Sequence, residues 1–410
     1  MVHVTSGGKV GVEPKPEVRK AGGIYYTPRY IVNYIVEHTV GKLLEGKTPK
    51  EAAKLKILDP ACGSGSFLLR TFERICEHYL KWFRENPKDQ REEVCYRDAE
   101  GNLRLTTHLK RQVLLDNLFG VDLDQQAVEV TMLSLYLKIL EGETRSTLGR
   151  QRQLFPKESF LPDLKNNIRL GNSLIESDYF DFFSDGNERL LIKPFDWKVE
   201  FRDFMTAGGF DAVIGNPPYY NVDTLGKKSP QMAYLQRRYH EVWNDKTDIL
   251  NYFLYRAITL SRNRVGMIVS RAFLEAYKSN RLRQEILRKA RIEHLVDFAN
   301  FRVFQAGITT AIVVLAKAPQ TPPELTVRRL KLEGADESAV SAALLGSAPN
   351  AVFDHIHVNQ SSLTSDSWNF SSPALQALYS RIDVNHPKAG DLLFVGQGMQ
   401  TGRNDVFANL

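Results

Sequence analysis

The chain has 410 residues, of which 43% are hydrophobic and 25% are charged, a composition that predicts a globular protein with a large core. No apolar run reaches membrane-spanning length, the polar segment 1–20 lacks the apolar centre of a signal peptide, and three cysteines without paired spacing predict neither disulfides nor zinc. A reducing, cytoplasmic location is therefore expected. The net charge of +6 favours a polyanionic partner only slightly, because a solvated basic surface is the simpler explanation.

Helices and strands alternate along most of the chain. Helical spacing of apolar residues predicts helices over 28–44, 66–83, 125–140 and 249–260. Short apolar runs predict seven strands, at 55–58, 118–121, 168–170, 210–214, 265–269, 292–298 and 309–315. This alternation predicts an α/β fold with a doubly wound, mostly parallel, seven-stranded sheet. A further helix over 279–290 would place several basic residues on one face.

The same pattern predicts the domain organisation. Residues 1–22 are expected to be flexible, and residues 23–318 are expected to form the main domain, with a charged insertion at 86–111. Residues 319–389 are predicted to be a connecting region. A new unit is expected to begin near 390 and to be truncated within 390–410.

A glycine-rich turn joins the first predicted strand to a helix. Gly63 and Gly65 allow a tight turn and a close approach of the backbone to a ligand, and Asp59 at the strand end can hold a cation. A simple strand-to-helix turn would explain the glycines alone. However, Asp122 ends the next strand, where a carboxylate can accept both hydroxyls of a ribose. The long interval between the glycines and Asp122 argues against a plain NAD enzyme, and no lysine follows the glycines as in a phosphate-binding P-loop.

The segment Asn216-Pro217-Pro218-Tyr219 follows the fourth predicted strand and is the most specific pattern in the chain. Two prolines fix the backbone and remove two N–H groups, which leaves carbonyl oxygens without local donors. These carbonyls and the Asn216 side-chain oxygen can accept hydrogen bonds from a flat amino group, while Tyr219 offers a ring for stacking. A rigid turn is the plainer alternative. The segment nevertheless lies at the carboxyl end of a strand, where ligands of such sheets bind.

Together these motifs resemble the class I amino-methyltransferases, and specifically the DNA adenine-N6 methyltransferases of restriction–modification systems. Tyr25-Tyr26-Thr27-Pro28 resembles the amino-terminal motif of these enzymes, and because it comes first, the order of the motifs is similar to the gamma arrangement of Taq-type and type IIG enzymes. The resemblance covers roughly 23–316 and again 390–407. It implies a Rossmann-like fold with an N-terminal helical segment, S-adenosyl-L-methionine as the cofactor, and double-stranded DNA as the partner. It further implies that the target adenine is flipped out of the duplex.

The resemblance also implies roles for individual residues. The residues from Asn216 to Tyr219 would form the catalytic motif, in which Tyr219, together with Phe304, would hold the flipped base. The cofactor would be bound by Tyr26, Thr27, Pro28, Asp59, Ala61, Gly63, Gly65, Phe67, Asp122, Asn172 and Ser173. Methyl transfer by this family requires no metal. A nuclease or specificity region is expected outside this chain.

Protein methyltransferases that act on a glutamine amide are the main alternative. They also use an Asn-Pro-Pro-Tyr motif, because an amide is flat and donates two hydrogens. The Tyr-Tyr-Thr-Pro segment at 25–28, the insertion at 86–111 and the tail at 398–407 have no place in that alternative. The target DNA sequence stays open, and only the resemblance favours the adenine over the cytosine amino group.

Overall fold

The computed structural model describes residues 26–370 except 157–158, 160, 184–188, 227–228, 245–246, 305–307, 318–323, 332–334 and 347–351. Outside that range it describes 2–4, 10–12, 377–379, 381–382, 384, 387 and 392–393. The chain divides into two compact units, 1–369 and 370–410. The tail at 398–407 lies outside the described residues, as does most of 1–22, in which Val2–Val4 pairs with Val10–Val12 in antiparallel fashion.

A nine-stranded sheet forms the centre of the first unit. Its strands are β1 (Ile57–Asp59), β2 (Leu118–Asp122), β3 (Ile168–Leu170), β4 (Phe210–Gly215), β5 (Ser261–Ser270), β6 (Arg291–Asp297), β7 (Thr310–Ala316), β8 (Glu324–Leu330) and β9 (Phe353–Asn359). They lie in the order β9-β8-β6-β7-β5-β4-β1-β2-β3. Five strands that are neighbours in this order, β3, β2, β1, β4 and β5, run parallel to one another. Strand β7 is antiparallel to both its neighbours, and β9 is antiparallel to β8.

The seven predicted strands all belong to this sheet, but the predicted number of strands was wrong. Strands β8 and β9 fall within 319–389, which was predicted to be a connecting region. Leu325, Val327 and Leu330 in β8 are buried, and Val327 pairs with Leu295 of β6. The charged side chains among these apolar residues obscure the alternation that marks a half-buried strand.

Nine longer helices are described: α1 (Arg29–Val36), α2 (Ser66–Glu85), α3 (Thr107–Asn117), α4 (Gln125–Leu140), α5 (Arg145–Leu154), α6 (Pro230–Arg238), α7 (Leu250–Leu260), α8 (Asn280–Lys289) and α9 (Glu337–Leu344). Helix α1 continues through a π-helical turn, Glu37–Gly41, into Lys42–Leu44. Shorter helical turns occur at Pro49–Ala52, Pro87–Asp89, Tyr179–Phe182, Arg189–Ile192, Trp197–Glu200, Arg202–Thr206, Val222–Leu225, Ala272–Glu275, Tyr277–Ser279 and Gln360–Ser362. None of the described helices combines the length and apolar character needed to cross a bilayer.

Helix α1 carries the amino-terminal motif to the sheet. Its buried residues Ile31 and Ile35 belong to the main hydrophobic core, and the helix contacts α2, α9 and β5. Burial of such an apolar face supplies most of the stability of a short helix. Residues 26–28, which directly precede Arg29, are therefore held in a fixed position relative to the strand ends.

The insertion at 86–111 is a folded part of the first unit. It contains an antiparallel hairpin of Cys95–Arg97 and Leu103–Leu105 and the start of α3. Tyr96 in the hairpin donates a hydrogen bond to Glu143, 2.9 Å away, which ties the insertion to the start of α5. A cavity of about 480 Å³ lies between the hairpin and α5, and none of its lining residues belongs to the two motifs.

Candidate active site

The two motifs lie at the carboxyl ends of strands that are neighbours in the sheet. Strand β1 ends at Asp59 and β4 ends at Gly215, and the two run parallel with Leu58 opposite Val213. They approach so closely that a β-carbon on Gly215 would lie 2.6 Å from Asp59 Oδ1. The glycine-rich turn and the Asn-Pro-Pro-Tyr segment therefore meet at one edge, as the sequence predicted.

The two glycines of the turn have different surroundings. Gly63 and Gly65 both adopt positive φ values, +53° and +83°. A β-carbon on Gly65 would lie 2.9 Å from Thr131 Cγ2, so this residue allows α4 to pack against the turn. At Gly63 no heavy atom lies within 4 Å of that position. Gly63 thus borders open space into which a ligand can fit.

Asp59 is a buried carboxyl group that pairs with no cation among the described residues. It is only 1% exposed, and its Oδ1 accepts one hydrogen bond, from the backbone N–H of Ala61, 3.1 Å away. Burial, to which the nearby Asp122 adds, raises the pKa of Asp59 to about 8. No ion pair joins it to a described lysine, arginine or histidine. A ligand ammonium group would supply the missing positive charge.

Asp122 holds the glycine-rich turn to the end of β2. Its Oδ2 accepts from the backbone N–H of Gly63 at 2.8 Å, and its Oδ1 accepts from that of Asp124 at 2.9 Å. Its side chain is half-buried, and burial raises its pKa above the ordinary value. Each carboxylate oxygen can accept a second hydrogen bond, so two hydroxyls can still be bound.

The residues after β3 form the far side of this edge. Ser173 is buried, and its hydroxyl donates to the carbonyl of Pro60, 2.5 Å away, so it holds the glycine-rich turn in place. Asn172 is half-buried, and its side-chain oxygen accepts from the backbone N–H of Leu174 at 3.0 Å.

Other residues predicted to bind the cofactor differ in exposure. Phe67 is buried in the hydrophobic core, whereas Tyr26 is 76% exposed. Ala61 and Pro28 are half-buried. These positions give Phe67 a packing role and leave Tyr26 accessible.

Asn216 presents an unused acceptor at the same edge. Its Nδ2 donates to Thr27 Oγ1, 3.0 Å away. Its Oδ1 is buried and has no hydrogen-bond partner among the described residues. A buried acceptor without a donor costs about 1–3 kcal/mol, so this atom favours a ligand that brings an N–H group. Pro217 is buried and Pro218 half-buried beside it.

The structure brings together the two rings predicted to hold a base. The ring centroids of Tyr219 and Phe304 lie 5.8 Å apart with an interplanar angle of 55°. Both residues are buried, and the Tyr219 hydroxyl donates to the carbonyl of Ile268 at 3.1 Å. A base can therefore stack on these rings only after at least one of them moves.

Two contacts beside the motif were not predicted from the sequence. Thr27 and Asn216 are 189 positions apart, and no local pattern signals their hydrogen bond. The segment after the motif also pairs with the segment before α7, since Ile249 N–H donates to the Tyr220 carbonyl at 3.0 Å. Asp248 lies in that pairing, and burial raises its pKa to about 6. Co-variation of the paired residues among homologous sequences would signal such contacts.

Two family models match overlapping parts of the chain. The model described as N-6 DNA Methylase matches residues 15–151. The model described as Eco57I restriction-modification methylase matches residues 116–304. Together they cover both motifs and the strands between them.

Two curated proteins illustrate the relatives. The type II restriction enzyme and methyltransferase RM.Eco57I of Escherichia coli is 28% identical over 323 residues, which cover 77% of this chain and 30% of that protein. The adenine-specific methyltransferase PglX of Streptomyces coelicolor is 22% identical, with 72% of this chain and 23% of that protein covered. This chain thus spans less than a third of the length of either relative.

Solved structures share the fold. The ATP-dependent Type ISP restriction-modification enzyme LlaBIII bound to DNA aligns with a TM-score of 0.56 at 17% identity, over 86% of this chain and 23% of that chain. The DrdV–DNA complex aligns with a TM-score of 0.52 at 18% identity, over 83% of this chain and 31% of that chain. Both motifs lie at one sheet edge, the glycine-rich turn inside the region that matches the N-6 DNA Methylase model and the Asn-Pro-Pro-Tyr segment inside the region that matches the Eco57I restriction-modification methylase model.

Proposed function

We propose that this chain transfers a methyl group from S-adenosylmethionine to the N6 amino group of an adenine in double-stranded DNA. It would do so as the modification unit of a restriction–modification or related defence system. The observation that carries the proposal is the buried Oδ1 of Asn216, which lacks a donor and lies at the same edge as Asp59. An exocyclic amino group supplies the N–H that this oxygen lacks. Among the relatives, the name of PglX specifies adenine.

The residues at this edge fit the proposed cofactor. Its ammonium group matches Asp59, its ribose matches Asp122, and the open space beside Gly63 leaves room for its body. When bound, the cofactor supplies a methyl group that the adjoining sulfonium makes electrophilic. The run of parallel strands with helices between them supports a doubly wound, class I arrangement around the site.

The chain itself contributes orientation and electrostatics. In the proposed mechanism, Asn216 Oδ1 and the Pro217 carbonyl accept the two hydrogens of the amino group. This pair of acceptors directs the nitrogen lone pair and favours the positive charge that develops on the nitrogen during transfer. Holding the nitrogen in line supplies most of the rate enhancement, and neither a metal nor a covalent intermediate is needed.

The adenine must leave the duplex to reach this edge, at a cost of a few kcal/mol. We infer that Tyr219 and Phe304 separate to receive it and that stacking returns about 1–3 kcal/mol. Tyr219 belongs to the same motif as Asn216, and its ring lies against that of Phe304. Specificity or nuclease regions are proposed to lie outside this chain, because the relatives are more than three times as long as their matched parts.

The glutamine-amide alternative finds no support among the relatives. The two family models are described as DNA or restriction-modification methylases, RM.Eco57I as a restriction enzyme and methyltransferase, and PglX as an adenine-specific methyltransferase. A DNA substrate also agrees with the net charge of +6.

Substitution Asn216→Ala tests the proposal. It removes the unpaired acceptor and leaves Asp59 and Asp122 in place, so methyl transfer should be lost while the affinity for S-adenosylmethionine stays within about twofold. Transfer is measured with labelled cofactor on DNA that lacks N6-methyladenine, followed by mass spectrometry of the nucleosides. Affinity is measured by calorimetry.

The exposed Asn166 provides the matched control, and Asn166→Ala should change neither quantity. Loss of transfer and of cofactor affinity by the same factor in Asn216→Ala would reject the assigned role. Methyl groups found on cytosine or on protein glutamine, and not on adenine, would show that the proposed substrate is wrong.

A further inference from the structure

We propose that Arg29 and Arg302 bind phosphate groups of the DNA strand that carries the target adenine, next to the flipped nucleotide. This inference rests on the proposed function, to which it adds two contacts with the DNA backbone. Neither residue belongs to the glycine-rich turn or to the Asn-Pro-Pro-Tyr segment. Each is an exposed cation on a segment that is fixed beside the catalytic motif.

Arg29 lies near the first residue of the catalytic motif. It follows Thr27 by two positions, and Thr27 Oγ1 accepts a hydrogen bond from Asn216 Nδ2 at 3.0 Å. Two positions span at most about 7.6 Å between Cα atoms. The Arg29 side chain is 80% exposed and forms a long ion pair with Glu73, at 4.0 Å. The same carboxylate pairs with two closer cations, at 2.6 Å and 3.3 Å, so Arg29 keeps a positive charge to offer to a ligand.

Arg302 lies near the last residue of the motif. It precedes Phe304 by two positions, and the centroid of the Phe304 ring lies 5.8 Å from that of Tyr219. Val303 and Phe304 are buried in the main hydrophobic core, which fixes the backbone that carries Arg302. Arg302 itself is exposed, and no described acidic side chain forms an ion pair with it.

Both cations belong to the edge of the sheet at which the two motifs meet. Strand β7 is antiparallel to both β5 and β6, so β6 runs in the same direction as β4 and ends at the same edge. Arg302 comes shortly after the end of β6. Arg29 begins α1, and the segment before it contacts Asn216 directly after the end of β4. Both cations are therefore available at the edge where the proposed nucleotide binds.

A guanidinium group suits this partner, because its planar fork binds phosphate oxygens through two parallel hydrogen bonds. Each such contact releases counterions from the DNA, so the logarithm of the affinity falls with the logarithm of the salt concentration by about 0.9 for each phosphate. These contacts position the DNA and carry no sequence information. Two arginines on fixed segments would hold the backbone while the adenine leaves the duplex.

The salt dependence of DNA binding tests the two contacts. The affinity of the chain for short labelled duplexes of different sequence is measured by fluorescence anisotropy between about 50 and 200 mM salt. Arg29→Gln and Arg302→Gln should each lower the slope by about 1, and the affinity at about 0.1 M salt by about fivefold to tenfold, equally for all duplexes. The double substitution should lower the slope by about 2. Arg302→Lys should restore the affinity to within about threefold, because an ammonium group also binds phosphate as a point charge.

Arg84, an exposed cation near the end of α2, provides the matched control. Helix α2 begins after the glycine-rich turn and is about 30 Å long, so its far end lies away from the site. Arg84→Gln should change neither the slope nor the affinity. The glutamine variants at 29 and 302 should keep the wild-type melting temperature and bind S-adenosylmethionine within about twofold, because exposed side chains contribute little to stability.

The outcomes separate this inference from the proposed function. If the substitutions lower the slope but the wild-type chain methylates no DNA, the backbone contacts stand and the proposed function fails. If the wild-type chain methylates adenine and both glutamine variants keep its slope, the contacts are wrong and the proposed function stands. An equal loss in Arg84→Gln, or no binding of duplex DNA by the wild-type chain at low salt, would also reject the contacts.

Discussion

Asp59 places a carboxylate where water scarcely reaches it. The sequence predicted its position, because a strand end followed by a glycine-rich turn is a local pattern. It also predicted the position of Asn216, because a strand end followed by two prolines is a local pattern as well. The direction in which Asn216 donates, toward Thr27, could not be predicted, since it depends on how α1 packs across the sheet. The burial of Tyr219 against Phe304 likewise depends on packing and not on either segment alone.

The raised pKa of Asp59 makes cofactor affinity depend on pH. In the free protein the pKa is about 8, so Asp59 is mostly protonated at pH 7. A bound ammonium group favours the ionised form, and binding therefore releases a proton. Affinity for S-adenosylmethionine should rise between pH 6 and pH 7, by up to about tenfold. Calorimetry in buffers of different ionisation enthalpy measures the released proton.

Asp59→Asn should abolish both the proton release and the slope, and it should weaken binding at pH 7. The same pKa affects stability without cofactor. Because the folded-state pKa lies above the ordinary 3.8, protonated Asp59 contributes to the stability of the folded chain. That contribution is present in full below about pH 4 and declines as the pH rises toward 8. A flat affinity profile in the wild-type chain would show that Asp59 is already ionised.

At the scale of elements, α8 differs most from its sequence-based interpretation. Several basic residues of this helix were predicted to share one face. In the structure Arg283 is buried, while Arg288 and Lys289 both pair with Glu285. Periodicity revealed the helix and its charges, but it could not reveal which cations were buried. Partners from distant segments decide that.

Arg283 joins the turn after β5 to the segment around Ser365 through hydrogen bonds. Its guanidinium donates to the backbone carbonyls of Phe273 at 2.8 Å, Ala276 at 3.0 Å and Ser365 at 3.0 Å. Arg283→Met should lower the free energy of unfolding by about 2–4 kcal/mol, because three carbonyls lose a charged donor in a buried place. Urea unfolding measures this change.

The exposed Arg281 of the same helix is the matched control, and Arg281→Met should lower the free energy of unfolding by less than about 0.5 kcal/mol. Equal effects of the two substitutions would mean that helix propensity, and not the buried hydrogen bonds, determines the stability of this region.

At the scale of the whole molecule, the sequence predicted an α/β fold and seven of the nine strands of the central sheet. The other two, β8 and β9, extend the sheet beyond β6 and were missed because charged residues interrupt their apolar pattern. Strand pairing is non-local, so the residues of β8 become recognisable as a strand only when β6 lies beside them.

Truncation of the chain tests whether β8 and β9 are essential to the stability of the first unit. A chain ending at Lys317 lacks β8, β9 and α9, which leaves the edge of β6 unpaired and uncovers part of α1. It should aggregate or unfold at a temperature at least about 10 °C lower, because an unpaired apolar edge invites association. A chain ending at Asn369, where the first unit ends, should keep the melting temperature of that unit. Scanning calorimetry and gel filtration compare the two.

The position of β1 between β2 and β4 has a consequence for synthesis on the ribosome. Lys56 beside β1 hydrogen-bonds to Asp211 at the start of β4, across 155 positions of the chain. At typical translation speeds, roughly 10–30 s separate the emergence of the two strands. During that interval one edge of β1 lacks its β4 neighbour, so we expect Asp59 to be exposed to solvent. The nascent chain therefore acquires its buried carboxylate, and with it the capacity to bind a cation there, only when β4 docks.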